Sequence, residues 1–235
     1  MKVLKYLCMI IILVSCSNQS EILLTKLEDS AKMEEAKLNL LELTKKNDNN
    51  FSFNFDIQNF ELGIQTDNEN VLKIANSKKG QHIHLILNND PYFAKYSSNF
   101  EHKLDTNNNI ILAFLSRSYH ESVKNKNAFV LTQTGDQYDL NSEFLFYSRP
   151  KGSYKIEDSN DILLDFYLVN TDISKNGNKV RATIQNQEFI IDEWCPYLIN
   201  GLKKGEVSVK LELLDPNGEL IKTPFNPTFR SFIIE

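Results

Sequence analysis

Two stretches 97 residues apart carry the same strand–turn–strand pattern, and a duplicated β-unit limits this chain's fold more than any other feature. Residues 82–93, HIHLILNNDPYF, lie without gaps over residues 179–190, KVRATIQNQEFI. Ile83 meets Val180, Leu87 meets Ile184, Asn89 meets Asn186 and Tyr92 meets Phe189. The same offset sets Ile110, Leu112 and Phe114 on Val207, Val209 and Leu211. Alternating apolar residues and matching turns at one constant spacing describe two copies of a β-sheet unit.

Within the first copy, Ala36, Leu38 and Leu40 alternate, a polar turn follows at 45–50, and Phe51, Phe53, Phe55 and Ile57 alternate again. Val71–Ile74 reads as a short strand. His82–Leu87 reads as a strand closed by the turn formers Asn88, Asn89, Asp90 and Pro91, with Tyr92, Ala94 and Tyr96 on the return. Ile110–Leu115 and Ala128–Thr132 complete the unit. Phe144–Tyr154, with Pro150 and Gly152, is expected to hold the boundary between copies. About a hundred residues of short alternating strands per copy predict an all-β chain of two tandem immunoglobulin-like β-sandwiches, residues 36–149 and 150–235. A jelly roll or one continuous sandwich is the alternative.

The N-terminus belongs to neither copy. Lys2 and Lys5 precede an apolar run from Leu7 to Val14, too short to span a bilayer, and polar residues follow at once. Residues 1–15 therefore read as a signal peptide. Leu13-Val14-Ser15-Cys16 resembles a bacterial lipobox, which implies acylation of the Cys16 thiol and a stable membrane anchor. Residues 16–35 are expected to be a tether, and Ser17 suggests the outer membrane by resemblance to lipoprotein sorting rules. Loss of Lys2 and Lys5 with the leader takes the formal charge from −5 to −7. With no Lys/Arg cluster, nucleic acid is not an expected partner. Cys195 is then the single cysteine of the folded part, with no internal disulfide partner.

All four histidines, His82, His84, His102 and His120, fall in the first copy. His82 and His84 share one strand face by the period of two. Lys179 and Arg181 stand at the matching places in the second copy, so that face is expected to be solvent-exposed. The loop Arg117–Ser122 replaces an ordinary tight turn, Asp215–Gly218, and marks the first copy as the one carrying a site.

Two site chemistries follow. Arg117 offers a guanidinium fork for phosphate or carboxylate, while Tyr92, Tyr96 and Tyr119, with His120 and Glu121, supply flat and polar contacts. This set predicts a non-enzymatic module binding a peptide, a small ligand or another envelope protein, with no cofactor required. Alternatively His82, His84 and His120 converge as a three-nitrogen site for Zn or Cu, with affinity falling below about pH 6.5 as imidazoles protonate. No GxSxG, HExxH or P-loop pattern occurs, so the chain is not expected to be an enzyme.

The runs KGQHIHLILNNDPY (79–92), LAFLSRSYHES (112–122) and LFYSRPKG (145–152) resemble a family of lipoproteins from Gram-negative bacteria. Its members are often labelled phosphopeptide-binding proteins. The resemblance runs from about Ala36 onward and implies an envelope location and the ligand-binding reading. A weaker similarity, to periplasmic domains with a His-rich strand start and a further loop histidine, implies the histidine-centred reading.

Overall fold

The computed structural model describes residues 21–28, 30, 32–104, 108–155 and 161–235; residues 1–15, expected to be a signal peptide, and Cys16 lie outside them. The first half contains β1 (Leu23–Lys26), β2 (Lys37–Asn47), β3 (Asn50–Gln58), the single-turn α1 (Asn70–Lys73), β4 (His82–Leu87), β5 (Phe93–Lys95), β6 (Asn99–Lys103), β7 (Asn109–Ser116) and β8 (Phe129–Thr134). The second half contains β9 (Phe144–Arg149), β10 (Ser153–Tyr154), β11 (Ile162–Val169), β12 (Lys179–Ile184), β13 (Gln187–Ile191), β14 (Tyr197–Asn200), β15 (Gly205–Leu214) and β16 (Thr228–Ile234).

These strands form two immunoglobulin-like β-sandwiches, and the repeat seen in the sequence is carried by the topology. In the first sandwich a β2-β3-β6 sheet faces a β5-β4-β7-β8 sheet. In the second, β9, β11 and β14 take the same relative order, as do β13, β12, β15 and β16. Additional edge strands distinguish the second unit: β1 pairs with β14, and β10 lies parallel to β16.

Three expectations are corrected. Residues 23–26, expected in the tether, are a strand of the second sandwich. Phe144–Arg149, expected to end the first unit, also belongs to the second sandwich, paired with β11. Val71 lies in helical α1 and not in a strand.

The four strands β4, β7, β9 and β11 are buried at every position. Period two explains how. Ile83, Leu85 and Leu87 of β4, with Ile111, Ala113 and Leu115 of β7, point into the first sandwich. Ile86 of β4 and Ile110, Leu112 and Phe114 of β7 point the other way, where Phe144 and Phe146 of β9 and Tyr167 and Val169 of β11 meet them. Leu145, Tyr147, Phe166 and Leu168 fill the second core. The central strands of two sheets, buried on both faces, thus stack through a continuous apolar layer, and the Phe114 and Tyr167 rings stack across it at 4.5 Å.

Candidate metal centre

His82 and His84 share the face of Ile86, and that face is the buried layer between the sandwiches. Both are fully buried, so the solvent-exposed face expected for them is overturned. The counterparts Lys179 and Arg181 are only half-buried, and among the described residues no further sheet covers that face of β12.

The β4–β5 turn delivers Tyr92 to the same place. Asn88 and Asn89 adopt positive φ, 51° and 59°, which asparagine tolerates, and the chain reverses within a few residues. Asn89 also ties this turn to the second sandwich: its Oδ1 accepts from Tyr147 N at 2.8 Å and its Nδ2 donates to Thr228 Oγ1 at 3.0 Å. The third histidine comes from the loop after β7. There His120 N donates to the Arg117 carbonyl at 2.9 Å and Arg117 N to the Glu121 carbonyl at 2.9 Å. The tight reversal puts His120 at φ 70°, a left-handed conformation that favours glycine, and turns its ring toward β4.

Three imidazoles meet as a result. His82 Nε2 lies 2.9 Å from His84 Nε2 and 3.1 Å from His120 Nδ1. The three ligand atoms all fall within 4.8 Å of one another. A tetrahedral ion with metal–nitrogen bonds of 2.0–2.1 Å spaces its ligands by about 3.3 Å, so small ring movements produce coordination distances. The outer partners orient the rings. His82 Nδ1 is 2.9 Å from the Gly80 carbonyl, which only accepts, so this nitrogen carries the proton and Nε2 keeps its lone pair. His84 Nδ1 pairs with Ser148 Oγ of β9 at 3.2 Å. Such hydrogen bonds to the distal nitrogen are the usual support of metal-bound histidine.

Burial holds these rings neutral. It pushes His82 down to about 4, partly countered by the Gly80 carbonyl. It depresses His84 well below the ordinary value, helped by the neighbouring histidines, and likewise His120, helped by Arg149. Tyr92 completes the surroundings: its ring stacks on His84 at 3.5 Å and its Oη lies 3.1 Å from His120 Nδ1. Lys151 Nζ sits 3.6 Å from the Tyr92 ring centroid. Tyr96 borders His82 at 5.1 Å between centroids and bonds Ser77 through its hydroxyl at 2.8 Å.

The remaining candidates are placed differently. Arg117 and Glu121 are buried and pair with each other at 2.9 Å. Tyr119 is fully buried among Leu27, Ile74 and Leu163, and its hydroxyl meets Ser30 Oγ at 3.1 Å. These three side chains brace the loop that presents His120. His102 stands on β6 against Phe93 and Lys95, apart from the cluster. Sequence reasoning missed Ser148, Arg149 and Lys151. The run FLFYSR was itself a signal, being apolar at both parities before it turns polar.

No protein-family model and no curated protein matches the chain. Among solved structures, fibronectin(III)-like modules of Clostridium thermocellum CbhA are similar at 8% identity and a TM-score of 0.30. That similarity covers 79% of this chain and 85% of that one.

Proposed function

We propose that this protein is a non-enzymatic, transition-metal-binding lipoprotein of the bacterial envelope, anchored in the outer membrane through Cys16. The observation that carries the metal reading is the convergence of His82, His84 and His120 ring nitrogens at 2.9 and 3.1 Å. Neutral imidazoles suit Zn²⁺ and Cu²⁺, and Tyr92 Oη is the adjacent oxygen for a fourth position. Arg117 and Glu121 satisfy one another and Tyr119 is buried, so the loop has little to offer a peptide.

Calorimetric titration of chelator-stripped protein with Zn²⁺ and Cu²⁺ tests this against a His82→Ala/His84→Ala variant. The expected result is one ion per chain and a loss of at least about 100-fold in the variant, since first ligands outweigh the 10–100-fold effect of outer partners. Equal weak binding by both proteins would remove the proposal. The anchor is tested separately: Cys16→Ala is expected to abolish palmitate labelling, and unchanged labelling would exclude it.

A further inference from the structure

Beside the histidines, the second sandwich gathers three positive charges, and none of them is in an ion pair among the described residues. Arg149 ends β9, Lys151 follows it, and Arg230 lies on β16; all three face the β4–β5 turn. Arg149 Cζ is 5.3 Å from the Tyr92 ring and Arg230 Cζ is 5.6 Å from the Tyr147 ring. Their hydrogen bonds go to neutral groups: Arg149 Nη1 to Tyr154 Oη at 2.8 Å, Lys151 Nζ to the Tyr92 carbonyl at 2.6 Å, and Arg230 Nη2 to the Asn89 carbonyl. Asp165, opposite Arg149 across β9 and β11, pairs with Lys124 through Oδ1 and leaves its buried Oδ2 without a hydrogen-bond partner, and Asp90 acts on Arg230 only from beyond pairing distance.

The same neighbourhood holds unmatched donors. Arg149 Nε, Arg230 Nε and the Tyr147 hydroxyl are buried with no hydrogen-bond partner among the described residues. Arg149 is 8% exposed and Tyr147 1%. A buried donor left unpaired is destabilising, and an unpaired buried charge more so. Water would satisfy the donors and leave the charge uncompensated. An oxyanion supplies both the negative charge and several acceptor lone pairs, and guanidinium groups match its geometry.

We propose that Arg149, Arg230 and Lys151, with the Tyr147 hydroxyl, form a binding site for a small inorganic oxyanion of the phosphate or sulfate class at the junction of the two sandwiches. None of its groups is a candidate metal ligand, but Arg149 and Lys151 lie close enough to act on the three imidazoles, so anion binding is measured without metal. Its occupant bridges the sandwiches, because Lys151 and Arg230 already hold the backbone of the β4–β5 turn.

The test uses the whole metal-stripped chain at constant ionic strength, with chloride exchanged for sulfate or phosphate. The expected result is a saturable rise in melting temperature and a one-site calorimetric isotherm. Lys151→Gln and Arg230→Gln, both at half-buried positions, are each expected to weaken binding about 10-fold. Arg149→Gln is expected to abolish it. Sulfate stabilises many proteins by exclusion from their surfaces, an effect that grows without saturation. A non-saturating rise shared by wild type and the Lys151 and Arg230 variants would therefore overturn the proposal. So would saturation by chloride alone, because a monatomic ion would then be the occupant.

Discussion

The His82 imidazole gives one nitrogen to the Gly80 carbonyl and turns the other toward two further imidazoles, all shielded from water. Such a ring resists protonation in the folded chain and accepts a proton freely in the unfolded one. Between pH 6.5 and about 4 the unfolded state therefore binds more protons, and stability declines as pH falls through this window. His82 alone accounts for about 3 kcal/mol of the decline, taking about 1.4 kcal/mol per unit. Urea unfolding of the metal-free protein between pH 7 and 5 checks this; a flat profile would mean that the rings are not held neutral. The sequence-based expectation placed the loss of metal affinity below about pH 6.5, and burial moves the proton competition by His82 lower. Ser148→Ala removes a partner without touching a ligand, and about a 10-fold loss of metal affinity is expected by calorimetry. Arg117→Ala has a different signature. It leaves the buried Glu121 carboxylate without its cation, only the Ser30 hydroxyl still donating to it, and is expected to cost about 3–5 kcal/mol in urea, whereas Arg117→Met/Glu121→Leu recovers most of that loss.

At the scale of strands and turns, much of the fold is legible because its signals are local. The Asn88–Pro91 turn, the alternation through β2 and β3 and the constant offset of 97 residues each specify their own geometry. The burial of His82 and His84 was not legible by analogy with Lys179 and Arg181, because the covering sheet arrives from 60 residues downstream. A subtler signal was present. The run Ile110–Leu115 is apolar on both parities, as is Phe144–Tyr147, the pattern of strands covered on both faces. Their shared character predicts that they cover each other. The strand β1 left no such mark, since four residues, LLTK, are too few for a period to emerge. Gly80 shows how an element serves the centre. Its φ is +82°, and a Cβ would stand 2.3 Å from the Ile64 carbonyl oxygen, while its own carbonyl fixes His82. Gly80→Ala is expected to destabilise the fold by more than about 1 kcal/mol and to weaken metal binding, because the backbone that orients His82 must shift. Wild-type affinity in that variant would show that the carbonyl contact is dispensable.

Across the whole molecule, the candidate centre and the junction between sandwiches are one structure. The first sandwich supplies His82, His84 and His120, and the second supplies Ser148, which orients His84. The layer around them is built like a domain core: Phe114, Phe144, Phe146 and Tyr167 are each fully buried in it. A polar, hydrated contact would let two domains unfold separately, but burying each such ring stabilises the junction by about 1.5–3 kcal/mol. The pair of half-buried Lys124 from the first sandwich with buried Asp165 of β11, at 2.5 Å, adds a second tie. The chain is therefore expected to unfold in one transition, with the fluorescence of its single tryptophan, Trp194, coincident with far-ultraviolet circular dichroism. Trp194 is a suitable reporter because it packs edge-on against Tyr167, at 5.1 Å, on the margin of the shared layer. Phe146→Ala removes a ring from the middle of that layer and is expected to cost about 3–5 kcal/mol. The same substitution is expected to lower metal affinity although Phe146 touches no ligand, since Ser148 lies two residues further along the same face of β9. Two resolved transitions in the wild type would show the sandwiches to be independent. Unaltered metal affinity in a destabilised Phe146→Ala protein would show that the first sandwich holds the histidines in place unaided.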